Sequence, residues 1–370
     1  MKYIFIVQGE GRGHLTQCMA LEDILRKTGH EVVEILVGKS QSRQLPDFFM
    51  RSIQAPIRRF ESPNFLPTAS NKRNNILRSV GYNLLKVPTY LKSMRFIKER
   101  IRETQAEVVV NFYELLTGLT YALYHIKVPQ ICIGHQYLFL HKNFHLPEIN
   151  KAEIQLLNIF SQLTCLGASK KLALSFTKME DDNDHRICIV PPLLRKEVFS
   201  MQATTGNYIH GYMVNAGFAE NVMAWHQRCP KTELRFFWDR KGEKEVKVID
   251  ETLSFHPLDD KAFLKQMSGC KAYASTAGFE SICEAMYLGK PILMVPAHIE
   301  QDCNAQDAAR SGAGIVSDDF DLDRLLRFAG QYNPNPSFRT WVNSAPYVIL
   351  HALEPEPHDL PYLSGQVRMA

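Results

Sequence analysis

The sequence predicts an α/β protein made of two domains, each built on a parallel sheet, that face each other across a cleft. Apolar strand patterns alternate with amphipathic helix patterns along the chain, as in βαβ units. A glycine-containing turn follows a strand in each half, at residues 9–14 and again at residues 275–278. A length of 370 residues with 45% apolar composition suits about two domains, each with a core of its own.

The first half, residues 1–190, contains short apolar runs typical of buried strands, separated by helix patterns. The predicted strands are Tyr3–Val7, Glu31–Val37, Glu107–Val110, Gln130–Ile133, Leu163–Leu166 and Ile187–Val190. The predicted helices are Leu15–Lys27, Ile76–Glu103, Leu115–His125 and Glu148–Phe160.

A linker is predicted at residues 191–207, because Pro191 and Pro192 interrupt the pattern and small polar residues follow. The alternation restarts in a second domain, residues 208–333, and the proline-rich segment 334–370 is expected to pack back on the first domain. The predicted strands are Tyr208–Val214, Glu233–Phe237, Val246–Ile249, Ala272–Ala274 and Ile292–Val295. The predicted helices are Ala219–Arg228, Lys261–Met267, Phe279–Leu288 and Gln301–Ser311.

Composition and charge narrow the setting of the protein. No apolar run is long enough for a membrane span or a signal segment, and the eight cysteines form no C-x-x-C pair, so we expect a cytoplasmic protein with reduced thiols. The segment from Arg58 to Arg102 holds eleven basic residues and only two acidic ones. This segment suits peripheral contact with the anionic inner face of a membrane, a phosphorylated acceptor, or simply a solvated surface. The aromatic and basic residues are not arranged as in a nucleic-acid-binding motif.

The first glycine turn differs from a dinucleotide-binding fingerprint. Its third glycine, Gly13, comes one residue early, and the next strand ends at Lys39 rather than at an acidic residue that would hold a ribose. What remains is a flexible loop that carries His14 at the start of a helix, where the helix dipole favours a neutral imidazole able to act as a base. The alternative is a histidine that only caps or packs.

The second turn combines several features in an order that suits a nucleotide. The loop Thr276–Gly278 would aim backbone N–H groups at a phosphate, and Glu284 lies nearly two helical turns further on, where a carboxylate can accept hydrogen bonds from a ribose diol. A polar run that includes Glu300 and Gln301 then follows a buried strand, at the sheet edge where open α/β sheets bind ligands.

Together, Val7–His14 and the block Ser275–Gly314 resemble the GT-B glycosyltransferases, and in particular the family 28 type that includes the peptidoglycan N-acetylglucosaminyltransferase. The resemblance implies two Rossmann-like domains, with an acceptor site in the first and a nucleotide-sugar site in the second. It implies transfer of a hexosyl unit from a UDP-sugar to a hydroxyl of a glycan or lipid-linked acceptor of the cell envelope. His14 on the wall opposite the donor would activate the acceptor, so direct displacement with inversion is expected, and helix N-termini would stabilise the leaving diphosphate without a metal or cofactor.

Carried onto this sequence, the resemblance gives His14 the role of catalytic base. The other implied contacts are Asn215, Gly217, Thr276, Ala277 and Gly278 for the diphosphate, Glu284 for the ribose, Glu300 and Gln301 for the donor sugar, and the backbone near Phe255 and His256 for the nucleobase. The acceptor is expected beside the loop Gly11, Arg12 and Gly13 and beside His135 and Gln136.

The sequence departs from the family pattern at the expected partner of the histidine. Relatives often place an acidic residue at the end of a first-domain strand, whereas this chain has Asn111, with Glu114 three residues later as the candidate substitute. The basic residue that some relatives carry after the first loop of the second domain is Ala219 here. Two other functions stay open at this point, a UDP-sugar epimerase and a non-catalytic nucleotide-sugar-binding protein. The histidines between residues 135 and 145 do not share one regular helix, because Pro147 interrupts it, so no metal site is expected.

Overall fold

The computed structural model describes residues 1–39, 44–63, 86–214, 216–238, 240, 243 and 245–354, and it contains two seven-stranded sheets. The strands of the first sheet are β1 (Lys2–Gln8), β2 (Glu31–Lys39), β3 (Ile57–Glu61), β4 (Val108–Phe112), β5 (Gln130–Gly134), β6 (Lys170–Leu174) and β7 (Ile187–Val190). All neighbouring strands are parallel, in the order β3-β2-β1-β4-β5-β6-β7. The chain direction across the sheet reverses between β1 and β4, which opens a crevice at their carboxyl ends.

The second sheet repeats this plan. Its strands are β8 (Tyr208–Met213), β9 (Glu233–Trp238), β10 (Lys247–Val248), β11 (Leu253–Pro257), β12 (Ala272–Ser275), β13 (Ile292–Met294) and β14 (Gly314–Val316). Their order is β10-β11-β9-β8-β12-β13-β14, and only the β10–β11 pair is antiparallel. The reversal between β8 and β12 gives this sheet a crevice of its own.

Helices cover the faces of both sheets. They are α1 (Arg12–Lys27), α2 (Asp47–Ser52), α3 (Val87–Glu103), α4 (Leu115–Tyr124), α5 (Lys151–Thr164), α6 (Lys196–Phe199), α7 (Ala219–Arg228), α8 (Asp260–Gly269), α9 (Phe279–Tyr287), α10 (Ile299–Arg310), α11 (Leu322–Ala329), α12 (Pro336–Asn343) and α13 (Ala345–Leu353). Within the described ranges, none of them combines the length and the apolar character needed to cross a bilayer.

The helix starts differ in a way that matters for the site. Glu114, Asp259 and Asp321 each accept a hydrogen bond from the first turn of the helix that follows, as N-caps commonly do. In contrast, α1 and α9 start at Gly11 and Gly278, which supply no side-chain cap. The first N–H groups of these two helices therefore depend on loops, ligands or side chains of their own first turn, such as Glu280 in α9.

The predicted α/β class with two parallel sheets is confirmed, and the departures are local. The predicted strand at residues 163–166 is wrong, because those residues end α5 and form a turn, and the strand lies at β6 instead. Two lysines begin β6, which hid its apolar pattern. Strands β3, β11 and β14 were not expected, since polar residues or glycine break their short apolar runs. The predicted helix 76–103 is seen from Val87 onward, and its earlier part lies outside the described residues.

One apolar cluster extends through both halves of the molecule. It includes residues of both sheets together with Phe338 and Ile349 of the last two helices. The rings of Phe176 and Phe279, one from each half, have centroids 4.8 Å apart. Trp341 Nε1 of α12 donates to the carbonyl oxygen of Ser175 at 3.0 Å, so the chain after the second sheet returns to the first.

All eight cysteines are free thiols, and five of them are buried. Burial raises the pKa of both Cys270 and Cys303 to about 12. These thiols are therefore protonated at neutral pH, and they pack as small apolar side chains.

Candidate active site

The loop after β1 brings the backbone of the first half close to its neighbours. The amide of Gly9 donates to the carbonyl of Gly38 at 2.7 Å, and a Cβ on Gly9 would lie only 2.6 Å from Val37 Cγ1. A Cβ on Gly13 would collide with the carboxyl group of Glu280 in α9. Glycine at these two positions thus permits the close contact of loop with strand and of α1 with α9. Arg12 is exposed and lies over the ring of Phe48, with 5.5 Å between its guanidinium carbon and the ring centroid.

His14 lies in the first turn of α1 and faces the second half. Its ring stacks on Tyr113 at a centroid distance of 5.4 Å, and its Nδ1 is 3.2 Å from Gln17 Oε1. The side chain is nearly buried, with 9% of its surface exposed. Burial lowers the pKa of His14, while the nearby charge of Glu300 acts in the opposite direction. The imidazole is accordingly neutral at pH 7 and available as a base.

Gln17 links His14 to the second half. Its Nε2 donates a hydrogen bond to Oε1 of Glu280, the second residue of α9. In its carboxylate form Glu280 can only accept, so this bond then fixes the orientation of the Gln17 amide, with Oε1 facing His14 and accepting from Nδ1–H. The Nε2 atom of His14 then carries the free lone pair. Burial raises the pKa of Glu280 to about 7, although the hydrogen bond from Gln17 acts against this shift.

The expected pairing of Glu114 with His14 requires a correction. Glu114 caps α4 by accepting from the amide of Leu116 at 3.1 Å, and it also accepts from Ser62 Oγ at 2.6 Å. The side chain is fully buried, which raises its pKa to about 7. Asn111 binds the backbone of the same turn, accepting from the amide of Glu114 at 2.8 Å. Both residues shape the turn that carries Tyr113, and the polar partner of His14 is Gln17.

The loop after β12 presents its backbone at the start of α9. Ala277 adopts a left-handed conformation with φ of 60°, which is uncommon for a residue with a side chain. Its carbonyl accepts from Asn304 Nδ2 at 3.2 Å, and Thr276 Oγ1 accepts from the amide of Val214 at 3.2 Å. These bonds hold Thr276, Ala277 and Gly278 in place, with the uncapped N-terminus of α9 behind them. Such an arrangement favours an anion.

The neighbouring loop after β8 is described in part. Gly217 lies in a short 3-10 turn, Ala216–Phe218, directly before α7. Asn215, the other residue expected at the diphosphate, lies outside the described residues.

Glu284 is buried and already binds an arginine. Arg195 donates from Nε to Glu284 Oε1 at 2.5 Å and from a second nitrogen to Oε2 at 3.0 Å, and it also pairs with Asp260. This bidentate pair occupies two of the roughly four lone-pair positions of the carboxylate. Arg195 comes from the predicted linker, so the linker is fastened to the second half at the residue expected to bind ribose.

Glu300 and Gln301 begin α10, but they point to different partners. Glu300 Oε1 accepts from Gln136 Nε2 of the first half at 2.9 Å. Gln301 is buried, and its Oε1 accepts from the amide of Ala297 at 2.8 Å. Glu300 therefore reaches across the gap toward the first half, whereas Gln301 closes the loop that precedes its own helix.

His135 is part of the apolar contact between the halves rather than an open acceptor surface. Its ring stacks on Phe279 at 4.0 Å, and Nδ1 lies 2.6 Å from the carbonyl oxygen of Leu174. Burial lowers the pKa of His135 to about 3, so the ring is neutral. The residue expected to border an acceptor is thus a packing residue here, while Gln136 beside it reaches Glu300.

Of the two residues expected near the nucleobase, Phe255 is buried in the core and His256 is partly exposed. Phe255 is buried and stacks on Trp238 at 4.5 Å, so its side chain belongs to the core and only its backbone is available to a ligand. The ring of His256 stacks on Phe237 at 5.0 Å, and its Nε2 lies 2.9 Å from Ser254 Oγ. Burial lowers the pKa of His256. Its side chain is partly exposed at the carboxyl end of β11.

The site contains residues that the sequence did not point to. Gln17 is three residues from His14 on one helix, a spacing that could have indicated contact. Glu280 follows Gly278 by two residues, in the first turn of the proposed anion-binding helix. Arg195 and Tyr113 gave no sequence signal. Among the described residues, no group of three or more histidine, cysteine or acidic side chains is arranged to hold a metal ion.

Comparisons with known proteins agree with this architecture. The structure resembles a glycosyltransferase of kitacinnamycin, with a TM-score of 0.65 and 14% identity over 97% of this chain and 99% of that one. It also resembles Arabidopsis thaliana UGT89C1 complexed with UDP-L-rhamnose, with a TM-score of 0.55 and 14% identity over 95% and 94%. A third similar structure is spinosyn rhamnosyltransferase SpnG complexed with thymidine diphosphate, with a TM-score of 0.56 and 14% identity over 95% of this chain and 96% of that one. At these identities the likeness establishes the shared GT-B fold.

Sequence comparison adds the family. Over 52 residues, 14% of this chain, the sequence is 36% identical to ugt-48 of Caenorhabditis elegans, which is named as a UDP-glucuronosyltransferase. That match spans only 10% of the length of the relative. A family model described as glycosyl transferase family 1 matches residues 1–331, which includes both glycine turns and both sheets. The chain therefore belongs to glycosyl transferase family 1.

Proposed function

We propose that this protein is a glycosyltransferase that moves a hexosyl unit from a UDP-sugar to an acceptor hydroxyl, with inversion and without a metal. One observation carries the proposal: His14 of the first half and the uncapped N-terminus of α9 in the second half lie at the same interface between the halves. The bridging contacts of Gln17 with Glu280 and of Gln136 with Glu300 mark this interface. Family membership and neighbours complexed with UDP-L-rhamnose and thymidine diphosphate support a nucleotide-sugar donor.

In this proposal the donor binds to the second half. The diphosphate lies against the backbone of Thr276–Gly278 and Gly217, with Asn215 beside it, and Glu284 accepts from the ribose through lone pairs that Arg195 leaves free. The base contacts backbone near His256, and Glu300 binds sugar hydroxyls with Gln301 beside it. A preorganised donor aimed at a developing anion typically contributes about 3 kcal/mol to lowering the barrier.

The reaction then proceeds by direct displacement. His14 Nε2 takes the proton of the acceptor hydroxyl as its oxygen bonds to the anomeric carbon. The bond from that carbon to the diphosphate breaks at the same time, and the electron pair leaves with the nucleotide. Attack from the side opposite the leaving group inverts the anomeric configuration. The lowered pKa of His14 suits it to this role because a neutral imidazole is required.

We place the acceptor in the first half, and we propose a glycan or lipid-linked acceptor of the cell envelope, as in the family 28 type. A surface groove of about 500 Å³ runs along α5, and its lining includes Leu146, Ile154, Asn158 and Ile159. The same helix contacts Tyr113 through Ser161, whose Oγ is 2.7 Å from the tyrosine hydroxyl. A cytoplasmic location with contact to an anionic membrane would use α3, where Lys92 and Arg95 are exposed. Binding to anionic vesicles tests that contact.

Replacement of His14 tests the proposal. His14→Ala removes the base, so we expect kcat to fall by about 10²- to 10⁴-fold, while UDP-sugar still raises the melting temperature as in the wild type. His351→Ala, at an exposed histidine of α13, is the control and should keep full turnover. The assay follows UDP release with UDP-hexoses and a panel of acceptors, with and without EDTA.

Four results would contradict the proposal. A His14→Ala variant with normal turnover would remove the base. Loss of turnover on chelation would contradict metal-independent transfer. Conversion of a free UDP-sugar to its epimer without any acceptor, or donor binding without transfer to any acceptor, would favour the other functions that the sequence left open.

A further inference from the structure

We propose that Gln17 and Glu280 are positioning residues that orient the imidazole of His14, so that the base is set by a carboxyl group from the opposite half. This inference rests on the proposed function. It follows from a continuous chain of side chains: His14 Nδ1 contacts Gln17 Oε1 at 3.2 Å, and Gln17 Nε2 contacts Glu280 Oε1. The two ends of this chain, His14 and Glu280, lie 266 positions apart in the sequence, and the step from Gln17 to Glu280 accounts for 263 of them.

The directions of the hydrogen bonds follow from the chemistry of the three groups. Glu280 accepts through Oε1, so Gln17 must donate from its Nε2. Its carbonyl oxygen then accepts from His14, which must carry its proton on Nδ1. This tautomer leaves Nε2 unprotonated for the acceptor hydroxyl. Gln17 has 1% of its surface exposed, so its amide has little freedom to turn over.

The carboxyl group of Glu114 does not supply this orientation. Glu114 binds Ser62 and the start of α4, and Asn111 binds the backbone around Glu114 and Thr164. Tyr113 stacks on the imidazole face but offers no acceptor in its plane. Glu300 contributes charge near His14 and binds Gln136. Gln17 is thus the side chain bonded to Nδ1, and Glu280 is its anchor.

The orientation of His14 depends on contact between the two halves. Gln17 belongs to α1 and Glu280 to α9, so the chain is complete only when the two halves are together. Glu280 also lies in the first turn of the helix proposed to bind the diphosphate, with Glu284 and Glu300 as its charged neighbours. Orientation of the base and enclosure of the donor are therefore achieved by the same approach of the halves.

An exchange of the two side chains tests the inference. In Q17E/E280Q the carboxylate lies directly on His14 Nδ1–H, and the new amide at position 280 donates to it, so the chain is restored with the charge moved one step closer. We expect kcat within about threefold of the wild type and an acid limb of kcat/KM shifted to higher pH by roughly one unit, since a nearby carboxylate favours the imidazolium.

The single variants give the opposite result. Q17E places two carboxyl groups against each other, and Gln17→Met, of similar size, removes the chain. For both we expect kcat to fall at least about tenfold, while the dissociation constant of UDP-sugar stays within about twofold. E280Q keeps an acceptor for Gln17 and is expected to lose less. Thermal melting with and without UDP reports that each variant is folded.

A failure of the positioning role of Gln17 and Glu280 gives different results from a failure of His14 as the base. If His14→Ala abolishes transfer while Gln17→Met keeps the kcat and pH profile of the wild type, the chain of positioning residues is refuted and the base remains. An exchanged variant whose acid limb does not move, or whose kcat is no better than that of Q17E, refutes it as well. Normal turnover of His14→Ala would instead remove the proposed function.

Discussion

Two carboxyl groups, the fully buried Glu114 and the partly exposed Glu280, have pKa values raised to about 7 by desolvation, and they differ in what surrounds them. Glu280 contacts the opposite half through Gln17. Among the residues that the structure describes, Glu114 contacts its own half, and its buried Oε2 atom has no hydrogen-bond partner there. A buried oxygen without a hydrogen bond makes the ionised form unfavourable, so ionisation of Glu114 as the pH rises destabilises the folded state.

Glu114→Gln is expected to stabilise the protein at alkaline pH. The pKa of Glu114 is raised from 4.5 to about 7, so the folded state is favoured below pH 4.5 and loses that advantage as pH rises through 7. The amide that replaces the carboxyl group in this variant cannot ionise. The unfolding free energy of Glu114→Gln minus that of the wild type should therefore increase by roughly 2 to 3 kcal/mol between pH 5 and pH 8. Urea unfolding at the two pH values measures this difference.

Comparing two pH values cancels any constant cost of burying the new amide. Glu31→Gln, at an exposed carboxyl group, is the matched control and should change by less than about 0.5 kcal/mol. An unchanged difference for Glu114→Gln would show that Glu114 is not held in its neutral form.

Among individual residues, the sequence identified His14 but not its hydrogen-bond partner. His14 stood out because it follows a glycine loop at the start of a helix. Glu114 was chosen as its partner from the position of acidic residues in relatives, whereas the structure uses Glu114 to cap α4. The contact of His14 with Gln17 fits their spacing on one helix, whereas the contact of Gln17 with Glu280 depends on which face of α1 meets α9, and no local pattern contains that information.

The approach of α1 to α9 depends on one missing side chain. Gly13 lies in the first turn of α1, where the carboxyl group of Glu280 takes the space that a Cβ would need. Alanine would suit the helix itself better than glycine, by about 1 kcal/mol. The cost of substitution would therefore appear at the contact between the helices and not in the helix.

Gly13→Ala should thus separate activity from stability. The new methyl group pushes the Glu280 carboxyl group away from Gln17, so we expect kcat to fall about tenfold with a melting temperature equal to or above that of the wild type. Gly330→Ala is the control, since its Cβ would make only ordinary contacts, the nearest at 3.5 Å. A Gly13→Ala variant with full kcat would show that Glu280 is free to move without loss of function.

Helices and strands were predicted well where a long pattern supports them. The helix predicted at Ala219–Arg228 matches α7 at both ends, and β1 differs by one residue at each end. The short strands β3 and β14 were missed, because polar residues or a glycine leave too few apolar positions to form a period. Their places in the sheets are set by pairing with β2 and β13, a tertiary effect.

The two halves share one apolar cluster, so they are expected to unfold together. His135, Phe176 and Phe279 form its contact across the gap, and α12 and α13 join the same cluster. Calorimetry of the wild type should show a single transition, with a van't Hoff enthalpy close to the calorimetric enthalpy.

Phe279→Ala removes the centre of this contact and should lower stability by about 3 to 5 kcal/mol, with the transition broadened or divided in two. Phe199→Ala, at a ring with 46% of its surface exposed, is the control and should have a much smaller effect. Two transitions in the wild type would mean that the halves fold independently.

The sequence predicted two parallel sheets but not how they meet. Alternation of elements and the two glycine turns were sufficient for the sheets, because these are local patterns. The relative position of the halves depends on contacts between residues far apart in the sequence. Gln17 contacts Glu280, 263 residues away, and Trp341 contacts Ser175, 166 residues away. Each of these contacts involves side chains that are unremarkable within their own segments.

The state of the cysteines has a practical result. All eight are free, and the buried ones are held as protonated thiols, so no covalent link contributes to folding. The folded state consequently does not depend on a disulfide bond, so a reducing agent is not expected to destabilise it. Apart from the continuous backbone, the contacts that hold the two sheets together are non-covalent, so the halves can separate without breaking a covalent bond.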